Sequence, residues 1–508
     1  MGQRGRRALL SFAGLVVSVA AGAQSASGVS AASTEQRLER LEQQQLELER
    51  QLRTKDAEIQ ELKKQATAQP GAGQQPAPAP QQPASAPAAA VPPGQGAVAS
   101  AVAGAPDVPV KWGSYTDNFG FKIVNTDKGD VNLSMYTYLR YLNQLGTDST
   151  YTYKSTGQTV DIDKRQEIQL LKVQIKFLGW LYDPKLRYFL YAWSSNATQG
   201  QGAQVVLAGN LNYKFKDYFT LGGGITALPG VRSTEGNFPF WLNVDNRMLA
   251  DEFMRPSYTS GVWAKGNITP ALTYQVMAGN NLSTLGVSSG QLDPTLNTVA
   301  TALVWMPTTR EFGMGFGDFE NHQEVATRLG AHYTRSTEDK QSQPNSDAFE
   351  NTQIRLPDGS VVFTPNLFGP GVTVTNLRYQ MATVDAGIKY HGLALEGEYY
   401  WRTLDNFTGP GTTIVANQYD QGFQLQASMM AIDKTLQLYA AGSRVAGGSY
   451  GSPWDTRVGV NVFPFKNRVL RWNTQMMYIY KSPVGYNSLT YNVGSTGWIF
   501  NTDFEMAL

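Results

Sequence analysis

The chain has no cysteine. That removes disulfides, zinc–thiolate centres and cysteine nucleophiles from consideration. Charge is also scarce: Asp, Glu, Lys and Arg make up 16% of the residues, against ~25% in an ordinary soluble domain. There are three histidines, His322, His332 and His391. A hydrolase needs a histidine beside a serine or an aspartate. His332 shares its alternation phase with Arg328, and no nucleophile motif stands near it, so the chain is expected to be no enzyme, with no metal and no cofactor. No stretch approaches ~18 consecutive apolar residues, the length a spanning helix requires. Mean hydropathy is −0.31 and the net charge is +1, so nothing marks the whole chain for nucleic acid.

Aromatics and glycine are abundant, with 25 Tyr, 22 Phe, 10 Trp and 50 Gly among 508 residues. Few charges with many aromatics fit strands that face lipid on one side. The N-terminus reads as three successive segments. Arg4, Arg6 and Arg7 precede the apolar run Ala8–Ala20 and the small residues Ala21-Gly22-Ala23, which makes 1–23 an expected signal peptide. In 24–65 a periplasmic coiled coil is expected. Ser33-Thr34-Glu35-Gln36 has the spacing of a capping box. Leu38, Gln45, Leu52 and Ile59 then share one heptad position, and Leu41, Leu48, Lys55 and Leu62 share its partner. A lone helix of this length is marginal in water and needs partners. Residues 66–110 are dominated by Ala, Pro, Gln and Gly, a composition that cannot bury a core and predicts an extended linker.

From 111 to 508 the pattern changes to a period of two. At the end of the chain Trp498, Phe500, Thr502, Phe504, Met506 and Leu508 alternate with Asn501, Asp503 and Glu505. One face suits lipid, the other water. The same rhythm runs through Val131–Tyr141 around Asn132, Ser134 and Arg140, and through Leu171–Phe177 around Lys172, Gln174 and Lys176. It recurs in Leu393–Trp401 around Glu396 and Glu398, in Phe423–Met429, in Val458–Val462 and in Leu470–Tyr480. Charges in one phase predict a wet lumen. The fold class expected is all-β: a transmembrane antiparallel β-barrel. Spanning strands take ~9–11 residues, so about 400 residues at roughly 25 per strand and connection give about 16 strands.

From about Asp163 onward the chain resembles the phosphate-selective porin O/P family of outer-membrane porins. The resemblance rests on Lys172–Phe177 with Leu186–Trp193, and on Phe253-Met254-Arg255-Pro256 followed by Gly261-Val262-Trp263-Ala264-Lys265-Gly266. Ala326–Asp339 and Ile388–Arg402 continue it. The resemblance implies a 16-stranded homotrimer in the outer membrane, with inward-folded loops that narrow the pore and basic residues that select anions. The N-terminal segment is similar to the coiled-coil arm of dicarboxylate porins. One feature departs from the family's basic lumen. Of 42 basic residues 10 precede residue 111, and of 41 acidic residues 9 do, so the barrel segment carries 32 of each. Selectivity must then come from position.

The connection Ala227–Pro256 follows a Gly-rich strand at Tyr218–Thr226 and carries Arg232, Arg247 and Arg255. A loop of this length is usually functional, and it is expected to fold inward as the eyelet; the other reading is an external lid. By phase Arg140, Lys172, Lys176, Arg328, Lys389, Arg402, Arg457 and Arg471 should face water inside the wall, where cations attract anions. Gly313, Gly315 and Gly317 share one phase opposite Phe312, Met314 and Phe316, which predicts bare lumen positions that make room for a loop. The function expected is a porin passing small polar solutes, anions such as phosphate or small carboxylates above others. Its partners are expected to be two further copies of itself, outer-membrane lipid and, through the coiled coil, peptidoglycan or another periplasmic component. The alternative is a structural tether between outer membrane and cell wall, in which the pore is secondary.

Overall fold

The computed structural model describes residues 113–116, 119–194, 205–235, 241–284, 287, 289–292, 295–341, 343, 353–485 and 489–508. The expected signal peptide, coiled coil and linker lie outside these residues, and so does the tether reading that depends on them.

In chain order the strands are β1 (Tyr115–Thr116), β2 (Gly120–Thr126), β3 (Gly129–Thr147), β4 (Thr150–Thr152), β5 (Thr159–Asp161), β6 (Gln166–Leu181), β7 (Asp183–Ser194), β8 (Val205–Lys216) and β9 (Phe219–Ala227). Two short helices follow, α1 (Arg232–Glu235) and α2 (Leu249–Met254). Then come β10 (Tyr258–Thr269), β11 (Leu272–Gly279), β12 (Thr298–Trp305), β13 (Ala326–Asp339), β14 (Asn376–Tyr390), β15 (Leu393–Thr408), β16 (Gln418–Ile432), β17 (Leu436–Ala446), β18 (Trp454–Val462), β19 (Leu470–Tyr480) and β20 (Gly497–Ala507). β3 and β6 to β20 pair antiparallel, each with the next, and β20 returns to β3 from Gly497↔Thr147 to Ala507↔Tyr136. The result is a closed 16-stranded barrel, so the wall has no open edge.

β3 is long enough to carry two partners on one side. Its Gly129–Leu133 segment pairs with β2, and its upper part, from Tyr136, pairs with β20. The two partners lie end to end, and the Leu508 N–H donates to Met135 O at 2.8 Å where they abut.

The period of two sets the faces. Trp472, Phe504, Leu425 and Val458 stand about half exposed on the outside, while Arg471, Asp503, Gln424 and Arg457 are buried on the inside. An apolar exterior around a closed wall is the surface of a barrel in lipid. At one end the connections are tight. β6 and β7 meet at Tyr182 (φ 58°), and β14 and β15 at His391 (φ 48°) and Gly392 (φ 79°). Two positive φ values in a two-residue hairpin match the right-handed twist of the strands.

Two expectations are corrected. Leu171 does not face outward: Lys172 takes φ 50° and the β3–β6 register shifts beside it. That bulge turns both Leu171 and Lys172 inward. The glycines 313, 315 and 317 are not strand positions. They lie in the β12–β13 connection with φ of 67°, 69° and 80°, a backbone open to glycine without strain. It buries Phe312 and Phe316 instead of sending them to the opposite face.

The interior is packed over much of its cross-section. Ile354, Leu356 and Phe363 from the β13–β14 connection and Val484, Leu489 and Tyr491 from the β19–β20 connection meet Leu228, Leu249, Phe253 and Met254 from the β9–β10 connection. Together with Leu142, Tyr400, Met477 and Ile499 of the wall they form one buried apolar cluster. A second cluster joins Trp241, Leu242 and Val244 to Tyr136, Tyr138 and Tyr439 of the wall and to Phe316.

Candidate functional site: inserted segments and a cationic cavity

The β9–β10 connection lies against the inner faces of many strands. Wall cations hold it by its carbonyls. Arg140 Nη2 donates to Val244 O at 2.9 Å, Arg471 Nη1 to Trp241 O at 2.5 Å, and Arg457 to Asn246 O and Arg247 O, each at 3.1 Å. Asn461 Nδ2 reaches Leu242 O at 2.7 Å, and Tyr379 O–H reaches Met254 O at 2.6 Å. The side chain of Asp245 accepts from Lys172 Nζ at 2.6 Å and from the Tyr138 hydroxyl. α2 rests on β16, β17 and β18, with the Ala250 N–H donating to Ser443 Oγ at 3.0 Å.

The same wall cations are ion-paired. Arg140 meets Asp503 at 2.6 Å, Arg328 meets Asp385 at 2.7 Å, and Arg402 meets Asp420 at 2.7 Å. Arg457 pairs with Asp455 and Arg471 with Glu505. Lys389 Nζ donates to Gly315 O at 3.0 Å, lies 4.0 Å from Glu396, and sits 4.5 Å from the Phe312 ring centre. Within the loop Arg255 pairs with Glu252 at 2.7 Å, and Arg247 stacks on Trp241 at 4.2 Å with Glu252 at 3.5 Å. Arg232 reaches Glu396 at 3.3 Å and Gly315 O at 2.8 Å. The seven wall cations, Lys172 among them, were expected to face water and the three loop cations to narrow the pore; all ten are buried. The phase put the wall members on the inner side correctly, but inserted chain covers them. Burying a cation is tolerated only when a carboxylate and further acceptors replace its water, and each of these has such replacements. Lys176 is the exception, half-buried in the field of Glu505.

A second segment enters from the tight-turn end. It is the β12–β13 connection, and Gly315 O within it receives both Arg232 and Lys389. Its base is clamped by His322. One ring nitrogen of His322 meets Asp318 and the other meets Glu311 at 3.0 Å. The bond to Asp318, then that to Glu311, raises the imidazole pKa to about 9. The bond from His322 in turn holds the Glu311 carboxyl below its ordinary value.

Between these two segments and the strands β7 to β13 lies a cavity of about 280 Å³. Of the cations expected to act on solutes, it brings together Arg232 and Arg328. Arg187 (β7), Lys265 (β10) and Arg310 (β12–β13 connection) also line it. None of these three side chains has a hydrogen-bonded or ion-paired partner among the described residues; Arg187 feels the more distant Asp130. Among the described residues one carboxylate, Glu311, lines the cavity, and His322 and the Gly313 N–H (2.9 Å) already engage it. Sequence reasoning missed all three open cations. For Lys265 the signal was available: it lies two residues from Trp263 on the inward phase of β10, within a passage singled out for its resemblance. Arg187 sits on the inward phase of β7 with Phe189. Arg310 is a loop residue with φ 62°, and no periodicity could have placed it.

No family model and no curated protein sequence matches this chain. Solved structures do show likeness of fold. The outer-membrane expressed OmpT of Vibrio cholerae is 9% identical, with 76% of this chain and 99% of that one covered and a TM-score of 0.47. An anion-selective porin from Comamonas acidovorans is 9% identical over 75% of this chain and 100% of its own, with a TM-score of 0.47. The outer membrane channel DcaP of Acinetobacter baumannii is 8% identical over 76% and 99%, with a TM-score of 0.42.

Proposed function

We propose that the chain forms a water-filled channel in the bacterial outer membrane for passive diffusion of small polar solutes, with a preference for anions. The observation that carries this reading is that Arg187, Lys265 and Arg310 have no side-chain partner among the described residues, around a cavity whose one carboxylate among those residues is already bound to His322. A barrel balanced in total charge can still be locally positive, and a concave low-dielectric wall focuses that field on whatever enters. The paired cations play a different part in this reading. They hold the inserted segments against the wall and so keep the remaining passage open in one shape. A homotrimer belongs to the same reading, supported by the heptads between Leu38 and Leu62.

Reversal potentials across a potassium chloride gradient in planar bilayers test it. The wild-type barrel should pass chloride in preference to potassium. Replacing both Arg187→Gln and Lys265→Gln should lower that preference severalfold, since each unpaired charge in wet surroundings is worth roughly 1 kcal/mol to an ion about 4 Å away. An anion-to-cation ratio that the double substitution leaves untouched rejects the role of the cavity.

A further inference from the structure

We infer that the cavity takes small carboxylates that carry a flat apolar body, with benzoate as the simplest representative, in preference to compact hydrated anions. The inference rests on the channel reading above and narrows its solute. Beside its cations the cavity is lined by Phe189, Trp263, Phe312, Val304, Met306 and Met314. An inorganic anion can meet the cations and the side-chain amides of Asn210, Asn212 and Gln275, but it gains nothing from the apolar part of such a wall, where its oxygens would lose water without receiving donors. A carboxylate with an apolar body gains twice. Its charged end meets a cation that has no partner among the described residues, and its ring covers the apolar surface that the half-buried Phe189, Met306 and Met314 leave wet beside the buried edge of Trp263. Sites for small organic molecules commonly have this division, a mostly apolar concave wall with a few placed polar groups.

The register supplies the spacing. Trp263 pairs with Gly222, Gly222 with Asn212, and Asn212 with Arg187. Arg187 and the indole therefore share one rung, three strand spacings or about 14 Å apart. Lys265 lies two residues along β10 from Trp263, about 7 Å away on the same face. Gly222 shapes the middle of that rung. A Cβ there would stand 2.4 Å from the indole ring, so the bare backbone lets Trp263 lie flat along the wall. An aromatic surface is thus bracketed by cations at distances that a ring bearing one carboxylate can bridge.

The test is block of chloride current through the intact barrel by sodium benzoate, acetate and phosphate, paired with equilibrium dialysis of radiolabelled benzoate against the detergent-solubilised protein. Benzoate should halve the chloride current at a concentration roughly tenfold below acetate or phosphate, the difference that one aromatic contact supplies. Trp263→Ala should remove most of that advantage, and Phe189→Ala should reduce it should the first variant fail to fold. Lys265→Gln should weaken block by benzoate and acetate together. A barrel that prefers chloride to potassium but is blocked equally by all three anions overturns the inference and leaves the anion channel standing. A barrel with no anion preference and no retained benzoate overturns both.

Discussion

Strands β13 to β20 with β3 and strands β7 and β10 are two parts of one wall, and they treat inward cations in opposite ways. In the first part Arg140, Arg402, Arg457 and Arg471 each have a carboxylate on their own or an adjacent strand and a loop carbonyl in front. In the second, Arg187 and Lys265 have neither among the described residues. In the channel we propose, the difference separates fastening from selectivity. A charge that binds the fold together is neutralised by its partner and gives little field to a passing ion. A charge left facing a cavity contributes little to packing and much to the local potential.

The comparison breaks most sharply where a fastening pair is cut. Asp503→Ala leaves the fully buried Arg140 guanidinium without its carboxylate. Removing one partner of a buried pair costs about 3–5 kcal/mol. Urea unfolding in lipid, followed by tryptophan fluorescence, should show that loss, while the chloride preference of the surviving barrels stays close to wild type. A large change in selectivity at constant stability would mean that the two parts do not divide the work. The open part answers to volume instead. Gly222→Leu should force the Trp263 indole from its seat, at about 1–3 kcal/mol for overpacking, and single-channel conductance should fall as the ring moves into the passage.

The smallest effect concerns the His322 clamp at the base of the inserted segment. Its folded pKa is raised to about 9 from ~6.5 in an unfolded chain. The stability it contributes is complete below pH ~6.5, declines between, and is gone once the pH has risen through about 9. The difference in urea midpoint between wild type and His322→Gln should therefore shrink from pH 6 to pH 10. A difference that grows with pH would show that His322 is held neutral in the fold.

The sequence carried the wall itself. The alternation in Leu470–Tyr480 and in the last strand gave side-chain faces that the structure keeps, and the strand number followed from length. Leu171 defeated the same reasoning because one residue with positive φ shifts the phase, and a bulge leaves no mark on composition. The run at 313–317 misled differently: glycine alternating with aromatics has the rhythm of a strand, but three left-handed glycines make it a folded insert. The deepest gap concerns burial. Arg471 and Lys265 are both inward cations on strands, and local pattern treats them alike. What separates them is a carbonyl of Trp241, 230 positions away in the chain, that covers one and not the other. Such contacts belong to tertiary structure, which a period of two does not encode.

The join on β3 has a consequence for how such a molecule comes into being. One strand position in the wall is assembled from β2 near the start of the described chain and β20 at its far end. Until Gly497–Ala507 has been synthesised, Tyr136–Thr147 presents an unanswered ladder of amides and carbonyls. Any folding intermediate that forms before β20 docks carries that rim uncovered, where another copy could add itself. Closure waits on the last strand, and an open edge is the kind of surface that invites aggregation until then.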